Sequence, residues 1–587
     1  MRYLMNISVV CGLLQGFLIV LNMELWNTSQ ARMATLLALD FAFIFALLVV
    51  QLTPSGKAED DSYYLNTPQW LLTATFSVTF GALTYYIMGS CHSSNNGSTA
   101  WAAGWWVVSI AVAYIALPFI QSWPQRYSDS KHAYSFGFDY PSLFTHGWDN
   151  ILLILFSGLF MSMYWLLIVL WVELFNILNI SIFEDIFFNK WFSGISLGVA
   201  FGVGLFVGHQ HRRIVSALQH IILTMCFVLM PLTALITILF SVSLPFTGLS
   251  GIWSTGYSTP ILLFLIAANI FFVNGVFGNG EPKHPDSENE PETYPKALRI
   301  VVSISLVVLN ALSAIAVYSV YLRVEQYGWT PARVYLAIAV LIACFYALSY
   351  FWVVFKSKQW LMLLPRFNVI NAILVMAVLL LFNLPFFNPL SISAADQFER
   401  LRAGKVSADE FDYGVLKYKL GQPGLDYLER LRVLTEHKEL SIIKGRLALL
   451  DSSTSQWEWE TSLRDEIRGR IQFNWKGEVL IEDELLETLL KPLKCNNNIC
   501  KLYLLDLDVD GTDEVIVLNT HRWRTPQVLG LVNDKWQVIG RINCYGNQNC
   551  TKSSFLDSFE QESFKILEPK YQNLFINGMS LKLNEEI

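Results

Sequence analysis

The stretch ATLLALDFAFIFALL at residues 34–48 lies inside a longer apolar run, residues 32–52, whose interior holds a single charged side chain, Asp40. Roughly 20 such residues in a helix are needed to cross the ~30 Å hydrocarbon core of a bilayer. Runs of this kind recur before residue 390, near 3–22, 32–52, 69–89, 101–121, 150–172, 192–208, 217–241, 258–278, 298–320, 332–355 and 366–386. The sequence therefore predicts a mainly α fold, a polytopic helical membrane bundle of about eleven spans, with the lipid bilayer as its surroundings.

The composition separates the chain into two regimes. Of the 587 residues 53% are hydrophobic and 15% charged, with a mean hydropathy of +0.40, which is too apolar for an ordinary soluble protein. The charge is concentrated late, since 25 of the 41 Lys and Arg and 31 of the 48 Asp and Glu follow residue 390. A net charge of -7 and the lack of a basic block exclude a nucleic-acid partner, which would need clustered cations.

The ends of the spans predict an orientation. The first span, in MRYLMNISVVCGLLQGFLIVLNMELW (1–26), has no small-x-small cleavage site after it, so we expect it to be retained rather than removed as a signal peptide. With the N-terminus inside, the loops divide Lys and Arg twelve to four in favour of the cytoplasmic side. Eleven spans then leave the C-terminus on the outer face.

The pattern of apolar and polar residues in the tail changes twice along the chain. We expect a membrane domain over residues 1–388, an extramembrane helical segment over 389–456, and a small α+β module over 457–587. The helical segment has apolar residues at three- and four-residue spacing, interrupted by GQPG at 421–424. The module has short β-prone runs, two pairs of which are joined across ND and NG turns.

Cysteine usage bears on the compartment of the tail. Cys495 and Cys500 lie close together in the sequence, and so do Cys544 and Cys550. Both stretches are polar and rich in Asn. Disulfides in an oxidising compartment such as the periplasm are the favoured interpretation. A four-Cys zinc site is the alternative, although its usual spacers are shorter. The sequence leaves the connectivity of any disulfides open.

An acidic loop, DLDVDGTDEV at 506–515, predicts a metal site in the module. Carboxylates at alternating positions, with a Gly where the chain turns, suit Ca²⁺. The candidate ligands are Asp506, Asp508, Asp510, the carbonyl of Thr512, and Glu514. An EF-hand fits poorly, because the following EVIVLN is strand-like, and the arrangement looks like a strand–loop–strand calcium loop of integrin-type repeats. A solvated acidic turn is the alternative. We expect any bound Ca²⁺ to be structural.

Polar residues inside the spans are candidates for a transport path. Asp40 is the most deeply placed carboxylate, and Asn269 and Asn274 lie in a late span. The alternative for Asp40 is pairing with a polar neighbour, and for the Asn residues hydrogen bonding between helices.

Several stretches resemble one family of bacterial inner-membrane proteins, grouped as domain of unknown function 4153. They are HGWDNILLILFSGLFMSMYWLLIVLWVELFNILNISIFEDIFFNKWF (146–192), LIAANIFFVNGVFGNGE (265–281), VEQYGWTPARVYLAIAVLIACFYALSYFWVV (324–354) and FNPLSISAADQFERLRAGKVSADEFDYGVLKYKLGQPGLDYLERL (387–431). The resemblance implies a multi-pass envelope protein in the inner membrane, without an assigned activity or catalytic residues. The tail would then be periplasmic.

Three functions follow from these observations. The favoured one is a non-enzymatic envelope protein whose periplasmic module binds a protein or a wall component. The second is a transporter or channel that uses Asp40 and the Asn residues. The third is a membrane-embedded enzyme acting on envelope precursors, for which the sequence has no P-loop, G-x-S-x-G or H-E-x-x-H pattern.

Overall fold

The computed structural model describes most of the chain and parts of the tail. The described residues are 2–25, 30–53, 65–90, 99–123, 138–248, 257–278, 294–357, 360–470, 472–473, 485, 500–507, 513–519, 527–532, 535–542, 574–576 and 579–581. The chain forms two compact units, Met1–Arg400 with Val415–Glu429, and Leu401–Gly414 with Arg430–Ile587. The first unit thus extends past residue 388, where composition alone ends the membrane domain.

Within the described residues, eleven helices are long and apolar enough to cross a bilayer, which confirms the predicted polytopic bundle. They are α1 (Arg2–Leu25), α2 (Gln30–Leu52), α3 (Thr67–Ser90), α4 (Thr99–Gln121), α5 (Tyr140–Ile177), α7 (Lys190–Gln210), α8 (Arg212–Thr247), α9 (Ser258–Phe277), α10 (Lys296–Tyr327), α11 (Pro331–Lys356) and α12 (Leu364–Leu381). A short helix, α6 (Ile182–Phe187), joins α5 to α7.

Several of these helices begin at recognisable caps. Asp139 accepts a hydrogen bond from the backbone N–H of Ser142 and so caps α5, with a proline in the first turn. Thr330 plays the same part for α11, whose first residue is Pro331. Such caps satisfy N–H groups that have no partner inside the helix, and a proline in the first turn costs no hydrogen bond there.

Glycines bring α1 and α7 into backbone contact. A Cβ built on Gly12 would lie 2.2 Å from Gly198 O, and one built on Gly202 would lie 2.2 Å from Ser8 O. The helices are antiparallel, because successive contacts move up α1 as they move down α7. Since lipid tails are as apolar as side chains, such close approach of small residues is a principal source of helix association in a membrane.

The helices α8 to α12 share one apolar core. Its fully buried members include Met230 of α8, Leu262 of α9, Leu309 of α10 and Tyr350 of α11. Many other large side chains on these helices face outward, as expected for a bundle surrounded by lipid rather than water.

The polar segment after the bundle is helical, as predicted. A 3₁₀ turn (Pro385–Phe387) leads into α13 (Pro389–Arg402), α14 (Tyr413–Tyr418), α15 (Gly421–Arg432), α16 (Leu440–Ser452) and α17 (Gln456–Arg470). The GQPG stretch forms the first turn of α15 rather than a separate turn. Gly421 has a φ of 55°, which favours glycine, and a Cβ on Gly424 would lie 2.1 Å from Leu416 O.

A buried ion pair organises the helical part of the second unit. Arg446 of α16 is 4% exposed at its side chain and bonds Asp409 at 3.1 Å. Nearby, Glu439 accepts a hydrogen bond from the backbone N–H of Ala408 at 2.6 Å. Tyr413 donates its hydroxyl proton to Ala408 O at 3.0 Å, and burial raises the pKa of this tyrosine, so it stays neutral. The segment before α14 is thereby tied to α16.

The predicted strands are present in the second unit. They are β1 (Gln472–Phe473), β2 (Cys500–Leu505), β3 (Glu514–Asn519), β4 (Gln527–Val532), β5 (Lys535–Arg541), β6 (Leu574–Ile576) and β7 (Met579–Leu581). The first five form a sheet in the order β1-β2-β3-β4-β5, antiparallel except for β1 beside β2. The pairs β4–β5 and β6–β7 flank the predicted ND and NG turns. The fold is therefore a helical bundle followed by a small sheet.

Candidate functional site

Asp40 pairs with a neighbouring helix. It lies in the middle of α2, 8% exposed, and its Oδ2 accepts a hydrogen bond from Nδ2 of Asn22 in α1 at 2.5 Å. Among the described residues, Asn22 is the hydrogen-bond partner of this carboxylate, and Asn22 Oδ1 has no partner there. The geometry joins two helices through a carboxylate and an amide.

Asn269 lies elsewhere in the bundle and has its own partners. Its Nδ2 donates to Thr237 Oγ1 of α8 at 2.7 Å and to Leu265 O at 2.9 Å, and the side chain is fully buried. This amide therefore links α9 to α8. The structure brings neither Asp40 nor Asn274 into hydrogen-bonding contact with it.

Asn274 belongs to a four-residue network that the sequence analysis did not identify. Its Nδ2 donates to the Tyr350 hydroxyl at 2.7 Å, and that hydroxyl donates to Asn368 Oδ1 at 3.0 Å. Asn368 Nδ2 donates in turn to Asn274 Oδ1 at 2.6 Å and to the Tyr140 hydroxyl at 3.2 Å. The four residues come from α5, α9, α11 and α12, so this network fixes four helices at one level.

The positions of these residues within their helices indicate on which side of the membrane the network lies. Tyr140 is the first residue of α5, Asn368 lies one turn into α12, and Asn274 lies one turn before the end of α9. In an alternating bundle these three ends fall on the same side as the N-terminus. A cavity of about 870 Å³ opens beside the network and extends along α5 as far as Leu155.

A second polar cluster holds the turn between α10 and α11, inside the stretch 324–354. Gly328 has a φ of 75°, and a Cβ there would lie 2.6 Å from Asp396 Oδ2. That same carboxylate oxygen of α13 accepts a hydrogen bond from the backbone N–H of Trp329 at 2.7 Å. Glycine is thus required at residue 328 by both backbone conformation and space.

Side chains of α13 also cover the carbonyls at the end of α10. Arg400 donates to Glu325 O at 3.0 Å and to Gln326 O at 2.9 Å. Gln397 donates to Trp329 O at 3.1 Å. The last carbonyls of a helix have no intrahelical partner, so these bonds cap α10 and anchor α13 against it.

The acidic loop predicted to bind Ca²⁺ connects β2 to β3, as the strand–loop–strand interpretation requires. Glu514 is 6% exposed, and its Oε2 accepts a hydrogen bond from the backbone N–H of Leu507 at 2.7 Å. Asp506 directly follows the last residue of β2. The remaining predicted ligands, Asp508, Asp510 and Thr512, lie outside the described residues. The described part shows a carboxylate closing the loop through the backbone.

The cysteines predicted to form disulfides lie outside the residues whose side chains are described, although the backbone of Cys500 begins β2. In the described part of the chain, Cys11, Cys226 and Cys344 are free thiols within spans. That part also contains no group of three or more His, Cys, Asp or Glu that could hold a metal ion.

The sequence model of the family called Domain of unknown function (DUF4153) matches residues 9–431. The chain belongs to this family. The match covers the bundle, the Gly328 turn and most of the way through α15, and it ends before the second unit's sheet. The curated proteins and the solved structures that were compared contain no match to the chain.

The family resemblance predicted from the four stretches is thereby confirmed, and the chain is an integral membrane protein by its eleven apolar helices. The family's description assigns no activity.

Proposed function

We propose that this protein is a non-enzymatic component of a bacterial cell envelope, anchored in the inner membrane, whose C-terminal module binds a protein partner on the periplasmic side. The observation that carries this proposal is an exposed apolar surface on the β4–β5 hairpin. Leu531, Val532, Val538 and Ile539 are all exposed there. Ile539, 51% exposed, lies over Gly530 on the face that also carries Val532, whereas Leu531 and Val538 lie on the opposite face, because successive side chains of a strand alternate. Exposed apolar residues that share one face of a module are typical of an interaction surface.

The chemistry of the hairpin indicates the kind of partner. Lys535 and Arg541 are exposed at the two ends of β5, on either side of Val538 and Ile539. An apolar centre with a cationic rim fits a protein surface that has apolar residues surrounded by carboxylates. A polysaccharide wall component would be expected to meet exposed polar and aromatic groups instead.

The positive-inside distribution of Lys and Arg supports the periplasmic placement of the module. On that side, we propose that the tail cysteines form disulfides and that Asp506, Asp508, Asp510, Thr512 and Glu514 hold a structural Ca²⁺. Both would stiffen a module whose sheet is small. The partners of Asp40 and Asn269 favour helix association over transport as their role, which supports an anchoring bundle.

Site-specific crosslinking tests the partner surface. A photoreactive amino acid in place of Ile539, in the full-length protein in its native envelope, should give one adduct of discrete mass. The adduct should disappear when Val532→Lys is added, because Val532 shares the face of Ile539 and the apolar surface is then broken. The same photoreactive residue at Lys444, an exposed position on α16 of the same unit, is the matched control. Identical adducts from both positions, or none from Ile539, would refute the proposal.

Orientation needs a separate experiment. A reporter that is active only in the periplasm, fused after Ile587, should be active, and a cytoplasmic reporter at the same site should not. Activity of the cytoplasmic reporter alone would remove the periplasmic part of the proposal, and with it the disulfides and the bound Ca²⁺.

A further inference from the structure

The cavity beside the Asn274 network has the size of a ligand site. Its volume of about 870 Å³ lies within the range of roughly 300–1,000 Å³ typical of small-molecule pockets. Residues of α4, α5, α8, α9, α11 and α12 line it, and no acidic or basic side chain is among the described residues that do so. A molecule inside it must therefore be uncharged over the buried part.

The cavity is polar at one end and apolar at the other. Tyr140, Asn274 and Asn368 lie at the end near the membrane surface, hydrogen-bonded to one another. Leu155, Leu263 and Ala339 line the opposite end. From Tyr140 to Leu155 the lining follows α5 for about 22 Å, at 1.5 Å per residue. That length covers one leaflet of the ~30 Å hydrocarbon core.

Two tyrosine hydroxyls in the lining of the cavity could donate hydrogen bonds to a bound ligand. Among the described residues neither Tyr114 nor Tyr346 has a hydrogen-bond partner for its hydroxyl, and the Tyr114 oxygen would be 3.7 Å from a Cβ built on Gly147. A hydroxyl without a partner in hydrocarbon is costly. A ligand oxygen near these groups would remove that cost.

The cavity opens sideways into the bilayer. Tyr114, Ile151, Leu155 and Phe271 both line it and are exposed on the outer surface of the bundle. An apolar cavity of this size is poorly filled by water, and left empty it would lose dispersion contacts. The molecules that surround the opening in a membrane are acyl lipids.

We propose that this cavity binds one acyl chain of a membrane phospholipid from the leaflet on the N-terminal side of the bundle. The chain lies along α5 against Leu155, Leu263 and Ala339. The ester carbonyl oxygens accept hydrogen bonds from the hydroxyls of Tyr114 and Tyr346, and the phosphate stays at the membrane surface. This site is independent of the C-terminal module and of the partner proposed for it.

Photolabelling of the full-length protein tests the site. The protein is reconstituted in phosphatidylcholine vesicles that contain a small fraction of phosphatidylcholine with a diazirine at the end of one acyl chain. After illumination and digestion, the label should concentrate on residues 151–155 and 339–346. In Ala339→Trp, where the indole fills the apolar end, this labelling should fall by about tenfold, the change expected for ~1.4 kcal/mol. The matched control is Ala314→Trp, on the exposed face of α10, which should label like wild type.

A smaller substitution distinguishes a loss of lipid binding from a loss of folding. Tyr346→Phe removes a hydroxyl that no described residue bonds, so the melting temperature in detergent should stay unchanged while labelling falls about fivefold, as for one lost hydrogen bond. Equal labelling of wild type and both variants, or label spread evenly over all exposed helix faces, would show annular lipid only and overturn the proposal. In a second experiment, the vesicles contain a polyprenyl phosphate that carries the diazirine. If this lipid competes more strongly than the labelled phosphatidylcholine for the same residues, the acyl-chain assignment is overturned.

Discussion

Gly12 of α1 and Gly198 of α7 touch through their backbones, so closely that a Cβ on either residue would lie 2.2 Å from the carbonyl oxygen of the other. Gly16 and Gly194 continue the contact one turn away on each helix. The first span is therefore packed along its length against the sixth. Close approach of this kind between small residues holds two helices together in a membrane, where lipid tails are as apolar as side chains.

Substitution of Gly198 should destabilise the bundle. In Gly198→Ala the new methyl group meets Gly12 O, and the helices must separate, at a cost of about 1–3 kcal/mol. Thermal unfolding of the full-length protein in detergent, followed by tryptophan fluorescence, measures this as a lower melting temperature. Gly158→Ala in α5 is the matched control, since a Cβ there meets nothing within 4 Å. Equal melting temperatures for both variants would contradict the close contact.

The Gly328 turn should depend on Asp396. In Asp396→Ala the backbone N–H of Trp329 loses its acceptor, and α13 loses one of its attachments to the end of α10. We expect a loss of about 1–3 kcal/mol and earlier proteolytic cleavage between α12 and α13. Lys405→Ala, an exposed residue just after α13, should have no effect on either measurement. If Asp396→Ala resists protease as well as wild type does, the prediction is contradicted, and the other bonds of α13 are sufficient to hold it against the end of α10.

The sequence predicted the elements of this fold better than it predicted their contacts. Apolar length placed all eleven spans, because a bilayer imposes one requirement on every helix that crosses it. The ND and NG turns placed two strand pairs, because few residues suit two-residue hairpins. Such signals are local, and each can be recognised within a few residues.

The candidate site was harder to predict because its contacts join distant parts of the chain. Asn274 was identified as polar within a span, but its partner Asn368 lies 94 residues later and Tyr140 lies earlier still, at the start of α5. Gly328 meets Asp396 only because α13 returns to the end of α10. Without knowledge of which helices are neighbours, a polar residue in a span predicts hydrogen bonding and does not identify the partner.

The buried pair of Arg446 and Asp409 should be sensitive to removal of one partner. In Arg446→Met, Asp409 loses this buried cationic partner at a site where its side chain is 17% exposed, at a cost of about 3–5 kcal/mol. Circular dichroism during thermal unfolding should show an earlier transition. The pair of Arg432 and Asp451, at 2.5 Å but 41% and 50% exposed, is the matched control. Arg432→Met should cost about 1 kcal/mol or less, because exposed ion pairs are screened by water. A similar loss in the two variants would mean that burial of the first pair is incomplete.

The acidic loop gives a test of the predicted Ca²⁺. If Asp510 and its neighbours hold the ion, added Ca²⁺ should raise the melting temperature of the second unit's transition in the full-length protein. The stabilisation should approach about 2.7 kcal/mol at a concentration 100 times the dissociation constant. Asp510→Asn should abolish the increase, because it removes one negative ligand from the set. Glu436→Gln, an exposed carboxylate of the same unit outside the loop, should keep the full increase. A calcium response that survives in Asp510→Asn, or that is missing from wild type, would favour the solvated acidic turn, in which Glu514 holds the loop through Leu507 without a metal.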